Sequence, residues 1–316
     1  MRTPLTRREL LKLGAAGVGG YFLGALRGRN ASGSIFGSRS TEVGGVTLVG
    51  AGDVANGSPG AAKTANLIDE IPGTVVALGD LAYESGTKEE IEDYYEPTWG
   101  RFKDRTLPVV GNHDYGQGGY EDLEVALYDP SPYFDYWGKA AGERGDGWYS
   151  TDLGQDWHVV VLNSMYPLLV GDSRQEDWLS SDLGANKGRN TIALWHHPAF
   201  SSGYHGSAER RMKWAWEVLY EHGACQIIVN GHDHDYERFC KMTPDGEPDP
   251  EKGIRQFVVG TGGKDLRSAA TPLPQSEAHY ADDFGVLKLI LKPKSYAWEF
   301  VSVEGAVVLD GGTEET

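Results

Sequence analysis

Seven residues of metal-ligating type recur in short polar clusters, each directly after an apolar run. Asp53 follows Gly52, and Asp80 and Tyr83 lie in Gly79-Asp80-Leu81-Ala82-Tyr83. Asn112, His113 and Asp114 are consecutive after Gly111; His196 heads His196-His197-Pro198; His232 and His234 lie in Gly231-His232-Asp233-His234. Carboxylate, amide, imidazole and phenol offer hard oxygen and borderline nitrogen donors and no thiolate, a set that suits Fe, Mn or Zn rather than a soft metal. Asp53, Asp80, Tyr83, Asn112, His196, His232 and His234 exceed what one ion takes, so two ions sharing a carboxylate is the simplest arrangement. Taken singly, a Gly-Asp after a strand is an ordinary turn. Five clusters, each at a strand end, are not explained by turns.

The elements that must position these clusters are legible as short apolar runs. Val46–Val49, Thr74–Leu78, Leu107–Val110, His158–Leu162, Thr191–Trp195 and Gln226–Val229 are rich in Val, Ile and Leu, as strands buried on both faces require. Helices are expected between them over Ala61–Ile71, Lys88–Tyr95, Arg174–Leu183 and Ala208–His222, the last N-capped by Ser207 and ended by Gly223. Alternating strand and helix means an α/β layered fold, in which ligands bind at the carboxyl ends of the strands. Downstream, Arg255–Val259, Phe284–Leu291 and Tyr296–Val303 alternate like strands of a second, mixed or antiparallel sheet, with Pro293-Lys294-Ser295 as a hairpin turn. Longer loops are expected at 56–60, 138–147 and 243–252, and residues 41–316 read as one domain.

The ordered set Asp53, Gly79-Asp80-x-x-Tyr83, Gly111-Asn112-His113-Asp114, His196 and Gly231-His232-x-His234 resembles the calcineurin-like metallophosphoesterases. It is most similar to their purple acid phosphatase branch, because Tyr83 stands three residues after Asp80 and Gly231 to Arg238 match the branch's extended final motif. Gln175-x-x-Trp178-Leu179, His196-x-Pro198 and Gly260-Thr261-Gly262-Gly263 are further matches, and the resemblance runs from about Val46 to Val303. One departure is Asp53-Val54-Ala55, where the branch commonly has Asp-x-Gly.

The resemblance implies a four-layer α-β-β-α sandwich of two mixed sheets flanked by helices, with the metal site at the carboxyl ends of strands. It implies that an Fe(III) takes Asp53, Tyr83 and His234, that a second ion, Fe(II), Zn(II) or Mn(II), takes Asn112, His196 and His232, and that Asp80 bridges them. The implied activity is hydrolysis of phosphate monoesters by direct, in-line attack of metal-bound hydroxide, without a phospho-enzyme. Two cations neutralise the phosphoryl charge and acidify bound water. The departing alkoxide needs a proton, for which His113 and His205 are the candidates, with Asp114 available to orient His113 or raise its pKa. His197, just before Pro198, reads as structural rather than ligating. A phosphodiesterase or nucleotidase on the same metal centre is the near alternative. A non-catalytic phosphate-binding protein is the distant one, since it predicts a lost ligand and all seven types are present.

Charge divides the chain. Of the total of −17, residues 1–45 hold seven bases and two acids, leaving −22 on the remainder. So acidic a domain excludes nucleic acid as a favoured partner, and only cations in the site could reverse the sign for a small phosphate-ester substrate. In residues 1–40, Thr6-Arg7-Arg8-Glu9-Leu10-Leu11-Lys12 precedes an apolar stretch, Leu13–Leu26, shorter than the ~20 residues of a spanning helix. This reads as a twin-arginine signal peptide, hence export through that machinery to the periplasm, cell surface or exterior. Two cysteines, Cys225 and Cys240, exclude a disulfide scaffold, and a buried free thiol is expected at Cys225.

Overall fold

Strand faces alternate between two interiors. In the computed structural model, which describes residues 45–116, 129–208, 210–268 and 271–316, Val159, Val161, Ile192, Leu194, Ile227 and Val229 join one buried cluster. Their neighbours Val160, Leu162, Ala193, Trp195 and Ile228 join another. Successive side chains of a strand point to opposite faces, so these continuous apolar runs need cover on both sides. The first cluster is shared with a second sheet; the second is closed by the helices α2 (Arg174–Ala185) and α3 (Lys213–His222), through Leu179, Leu183, Trp216 and Leu219. Each such fully buried apolar side chain contributes about 1.5–3 kcal/mol. Val43–Thr316 forms one compact unit. The expected signal segment lies outside the described residues. No described helix is long and apolar enough to cross a membrane.

The six-stranded sheet contains β1 (Val46–Ala51), β2 (Thr74–Leu78) and β3 (Thr106–Val109), mutually parallel. On the other side of β1 it continues antiparallel with β11 (Gly285–Lys292), β12 (Ser295–Ser302) and β13 (Val308–Glu315). α1 (Gly60–Asp69) covers its outer face through Ala61, Ala65 and Ile68. The seven-stranded sheet has a parallel core of β5 (Trp157–Val161), β6 (Asn190–Leu194), β7 (Cys225–Asn230) and β9 (Ile254–Val259). Antiparallel strands flank that core: β4 (Tyr149–Leu153) beside β5, β8 (Tyr236–Met242) beside β9, and β10 (Ser276–Tyr280) beyond β8 at the edge. The architecture is a four-layer sandwich of two mixed sheets flanked by helices.

Two expectations are corrected. The C-terminal strands form no sheet of their own: β9 completes the parallel core of one sheet, while β11 and β12 extend the other. The expected helix 208–222 begins as an α-helix only at Lys213, after a 3-10 turn at Arg210–Met212, with Met212 as N-cap. Ser207 does not cap it, because its hydroxyl exchanges hydrogen bonds with the Ser201 backbone. The hairpin turn is as expected, Pro293 and Lys294 joining β11 to β12. Cys225 is buried and Cys240 partly buried, both free thiols.

Candidate metal centre

Every expected donor lies just past the carboxyl end of a parallel strand: Asp53 after β1, Asp80 and Tyr83 after β2, Asn112 after β3, His196 after β6, and His232 and His234 after β7. The strand ends of the two sheets are tied together by Gly52 N–H donating to Val259 O at 2.8 Å, and those of β7 and β6 within one sheet by Gly231 N–H donating to His196 O at 3.0 Å. So close an approach needs the glycines that precede the donors. A Cβ on Gly111 would stand 2.1 Å from Asp80 Oδ1, and one on Gly79, at φ +90°, 2.4 Å from His196 Nδ1.

Three of the donors have left-handed backbone: Asp53 (φ 60°), Asp80 (φ 53°) and His232 (φ 74°). For non-glycine residues this conformation costs of order 1–2 kcal/mol and persists only where surrounding contacts fix it. Here Asp53 N–H donates to Gly79 O at 3.0 Å, and His232 N–H donates to Asp53 Oδ2 at 2.7 Å. The reversal turns each side chain inward at the strand end.

The donors form two groups around one carboxylate. The Tyr83 phenol oxygen lies 2.8 Å from Asp53 Oδ1, 2.9 Å from Asp80 Oδ2 and 3.3 Å from His234 Nε2. On the other side, His196 Nε2 lies 3.3 Å from the same Asp80 Oδ2 and 3.2 Å from Asn112 Oδ1. The His232 ring centroid is 5.2 Å from that of His196, and His196, His197 and His232 each bring a ring nitrogen within 4.8 Å of the others. Each outer imidazole is oriented through its other nitrogen: His196 Nδ1 meets Leu78 O at 2.7 Å and His234 Nδ1 meets Asp265 O at 2.7 Å. A carbonyl accepts only, so Nδ1 carries the proton and Nε2 faces the site, as metal-binding histidines require.

Electrostatics point the same way. Burial would raise the Asp80 carboxyl, but His196 and His113 outweigh it and hold it far below the usual range. Burial would likewise depress the His196 imidazolium; the Asp80 charge wins and pushes it up to about 9. Burial, then the Asp53 and Asp80 charges, raise the Tyr83 phenol well above 10. Two carboxylates, a phenol and imidazoles, all nearly inaccessible to water, are a costly assembly unless a cation neutralises them. This donor set fits two metal ions.

Residues 46–236 match the profile of the Calcineurin-like phosphoesterase family. The chain belongs to that family. Among curated proteins, this phosphoesterase is 28% identical over 227 residues to purple acid phosphatase 15 of Arabidopsis thaliana, covering 63% of the chain and 41% of that protein. It is 24% identical over 309 residues to a nucleotide pyrophosphatase/phosphodiesterase of Hordeum vulgare, covering 84% and 78%. The chain spans about half the length of the purple acid phosphatases it matches first. Among solved structures, purple acid phosphatase PPD1 of yellow lupin seeds superposes with a TM-score of 0.65 at 22% identity, covering 85% of this chain and 53% of that one. That superposition shows a shared fold.

Around the phosphoesterase donors, three expected residues take distinct places. His113 is partly exposed in the cleft, its Nδ1 2.5 Å from Glu84 O and its Nε2 3.9 Å from Asp80 Oδ2. His205 packs on His232 with ring centroids 4.3 Å apart, and its backbone N–H donates to Asp233 Oδ1 at 2.8 Å. Burial lowers its pKa, and the Arg267 charge adds to this against Asp233. Asp114 does not orient His113. It is fully buried, and its carboxylate accepts the backbone N–H groups of Asp80 (2.9 Å), Leu81 (3.0 Å) and Gly111 (2.8 Å). The 3-10 turn His113–Tyr115 sends the two neighbouring side chains in different directions. His197 Nδ1 meets Ser164 Oγ at 2.7 Å, as a structural histidine would.

Sequence reasoning missed two cations. Lys264 and Arg267, on the loop after β9, line the same cleft of about 190 Å³ as Asp80, Tyr83, Asn112 and His232. Lys264 is buried, pairs with Glu84, and holds its ammonium 4.6 Å over the Tyr83 ring. Arg267 Nη1 lies 3.3 Å from His205 Nε2. The signal that could have found them is positional: they follow the expected strand Arg255–Val259, which the structure places parallel to β7, so that its carboxyl end lies at the donor edge.

Proposed function

We propose that this phosphoesterase hydrolyses phosphate monoesters at a two-metal centre. The observation that carries the reading is the sharing of Asp80 Oδ2 between the Tyr83 group and the His196 group. Asp53, Tyr83 and His234 would hold one ion and Asn112, His196 and His232 the other, with Asp80 common to both; iron with iron, zinc or manganese fits these oxygen and nitrogen donors. When bound, the ions supply positive charge to the phosphoryl oxygens and acidify water.

The chain's own residues do the rest. His113 Nδ1 donates to Glu84 O, which leaves Nε2 facing the cleft as the atom that carries a proton to the departing oxygen. His205 accepts an Arg267 N–H at Nε2, which leaves its Nδ1–H to bind and orient the substrate. For this reason we place His113 as proton donor and His205 as a positioning contact. The twin-arginine-like segment supports export, tested by fractionating cells that carry the Arg7→Lys, Arg8→Lys double variant.

Hydrolysis of an aryl monophosphate against a bis-aryl phosphate tests the substrate class, and a strong diester preference would overturn the monoester reading. The similarity to the Hordeum vulgare protein named as a nucleotide pyrophosphatase/phosphodiesterase favours that second reading. Metal analysis with a visible spectrum tests the centre. A charge-transfer band should vanish in Tyr83→Phe, and its retention would remove Tyr83 from the iron.

A further inference from the structure

Among the described residues, several arginines of this acidic chain are neutralised by carboxylates: Arg101 by Asp69, Arg144 by Asp135, Arg238 by Asp310, Arg255 by Glu314. Arg267 differs. Among the described residues its guanidinium meets no carboxylate; it donates to His205 Nε2 at 3.3 Å and lies 5.2 Å over the Tyr204 ring. Lys264, the other cation of the cleft, is already paired with Glu84. The loop that carries both is fixed by backbone bonds to the donor loops: Gly262 N–H to Gly52 O (2.9 Å), Lys264 N–H to Asp53 O (2.8 Å) and Arg267 N–H to His234 O (3.0 Å).

The order of side chains is also informative. From the donor set outward come His232, buried; His205, packed on it with ring centroids 4.3 Å apart and partly exposed; Arg267 against Nε2 of His205; and Tyr204, 72% exposed. Arg267 therefore stands one imidazole ring outside the donors, beside what emerges from the cleft rather than what sits at its base. A guanidinium in that position is a fork of donors for an anionic oxygen.

We propose that Arg267 forms a leaving-group subsite that selects phosphoanhydrides, in which the leaving group is itself a phosphate, over esters with an uncharged leaving group. This rests on the hydrolase reading above. In the reaction, the oxygen of water bonds to the terminal phosphorus and the bond from that phosphorus to the bridging oxygen breaks. The electron pair goes to the leaving phosphate, which also takes one proton of the water. Arg267 binds the oxygens of that leaving phosphate, and Tyr204 walls its outer side.

The test uses metal-loaded wild type, Arg267→Gln and Arg267→Lys. Each is assayed on diphosphate and on an aryl monophosphate, and titrated calorimetrically with methylenediphosphonate and methylphosphonate. A charge-assisted hydrogen bond predicts that Arg267→Gln lowers the diphosphate-to-aryl ratio of kcat/KM, and the ratio of the two affinities, by roughly tenfold to a hundredfold. The ester activity itself falls less, through the lost contact to His205, and Arg267→Lys recovers part of both ratios. Equal losses on the two substrates, or unchanged ratios, overturn the assignment. Should wild type turn over neither substrate, the hydrolase reading falls, while the two affinities still decide the role of Arg267.

Discussion

The Asp114 carboxylate accepts the backbone N–H of Asp80 at 2.9 Å, so the carboxylate shared by both donor groups is held in place by one that offers them no donor. With its bonds to Leu81 and Gly111, Asp114 fastens the β2 loop to the β3 loop. Asp114→Ala would leave three buried N–H groups unsatisfied, at about 1–3 kcal/mol each. We expect a loss of about 3 kcal/mol or more in stability together with reduced metal content, and a smaller effect from Asp114→Asn. Thermal melting and metal analysis check this; an Ala variant with unchanged melting and full metal content would remove Asp114 from the scaffold of the site.

Metal loading should release protons. His196 keeps a proton to about pH 9, and with Nδ1 directed at Leu78 O that proton occupies Nε2, the atom that faces the site. The Tyr83 phenol is likewise protonated when no metal ion is bound beside it. At pH 7.5 about two protons per chain should leave on loading, read from calorimetry in buffers of different ionisation enthalpy. Heats independent of the buffer would contradict the assignment. Metal-free protein should also fail to bind inorganic phosphate, since the rest of the domain is acidic.

Asp233 and Glu237 should control the loop that bears His205. In the chain from Gly231 to Glu237, His232 and His234 face the donors, while Asp233 and Glu237 face 201–207. Asp233 accepts the Ser201 hydroxyl and the His205 N–H; Glu237 accepts both the N–H (2.8 Å) and the hydroxyl (2.6 Å) of Ser202. Asp233→Ala is expected to raise KM several-fold, roughly in line with a displaced substrate contact of about 1 kcal/mol, with metal content retained. A matching loss of metal would show instead that the whole β7 loop had collapsed.

Away from the centre, His158 makes stability pH-dependent. Its ring lies between Asp182 (2.6 Å) and Asp152 (3.0 Å). Burial alone would depress the imidazolium, but these two hydrogen bonds outweigh it and the pKa lies above 6.5. A raised folded-state value means that the charged contact contributes fully below pH 6.5 and is lost as pH rises through the folded-state pKa. The difference in melting temperature between wild type and His158→Gln should therefore be largest near pH 6 and shrink on the alkaline side. A difference that grows with pH would show that His158 is neutral in the folded protein.

Most of the donors were legible because a parallel strand buried on both faces announces itself as an unbroken apolar run, and its carboxyl end is then a fixed address. Less legible were β8, β10 and β13: Ser276–Tyr280 and Val308–Glu315 lie at sheet edges, are half-buried at most, and have no clean alternation to read. Asp114 was misassigned because adjacency in the chain was taken for adjacency of side chains, which a 3-10 turn undoes. Arg267 was missed because a lone arginine after Gly262-Gly263 carries no pattern; only β9 lying in the same sheet as β7 brings it to the cleft.

The pairing of β1 with β11 has a consequence for biogenesis. The strand that delivers Asp53 is flanked by β2 on one side and on the other by β11, residues 285–292, which lie downstream of every donor in the sequence. Contacts so distant in sequence form late, after their intervening chain exists. The first donor therefore cannot be fully seated until β11 has been made, and the centre closes only once that strand pairs with β1. A chain interrupted before β11 would carry every donor in its sequence and still lack the edge that holds the first of them.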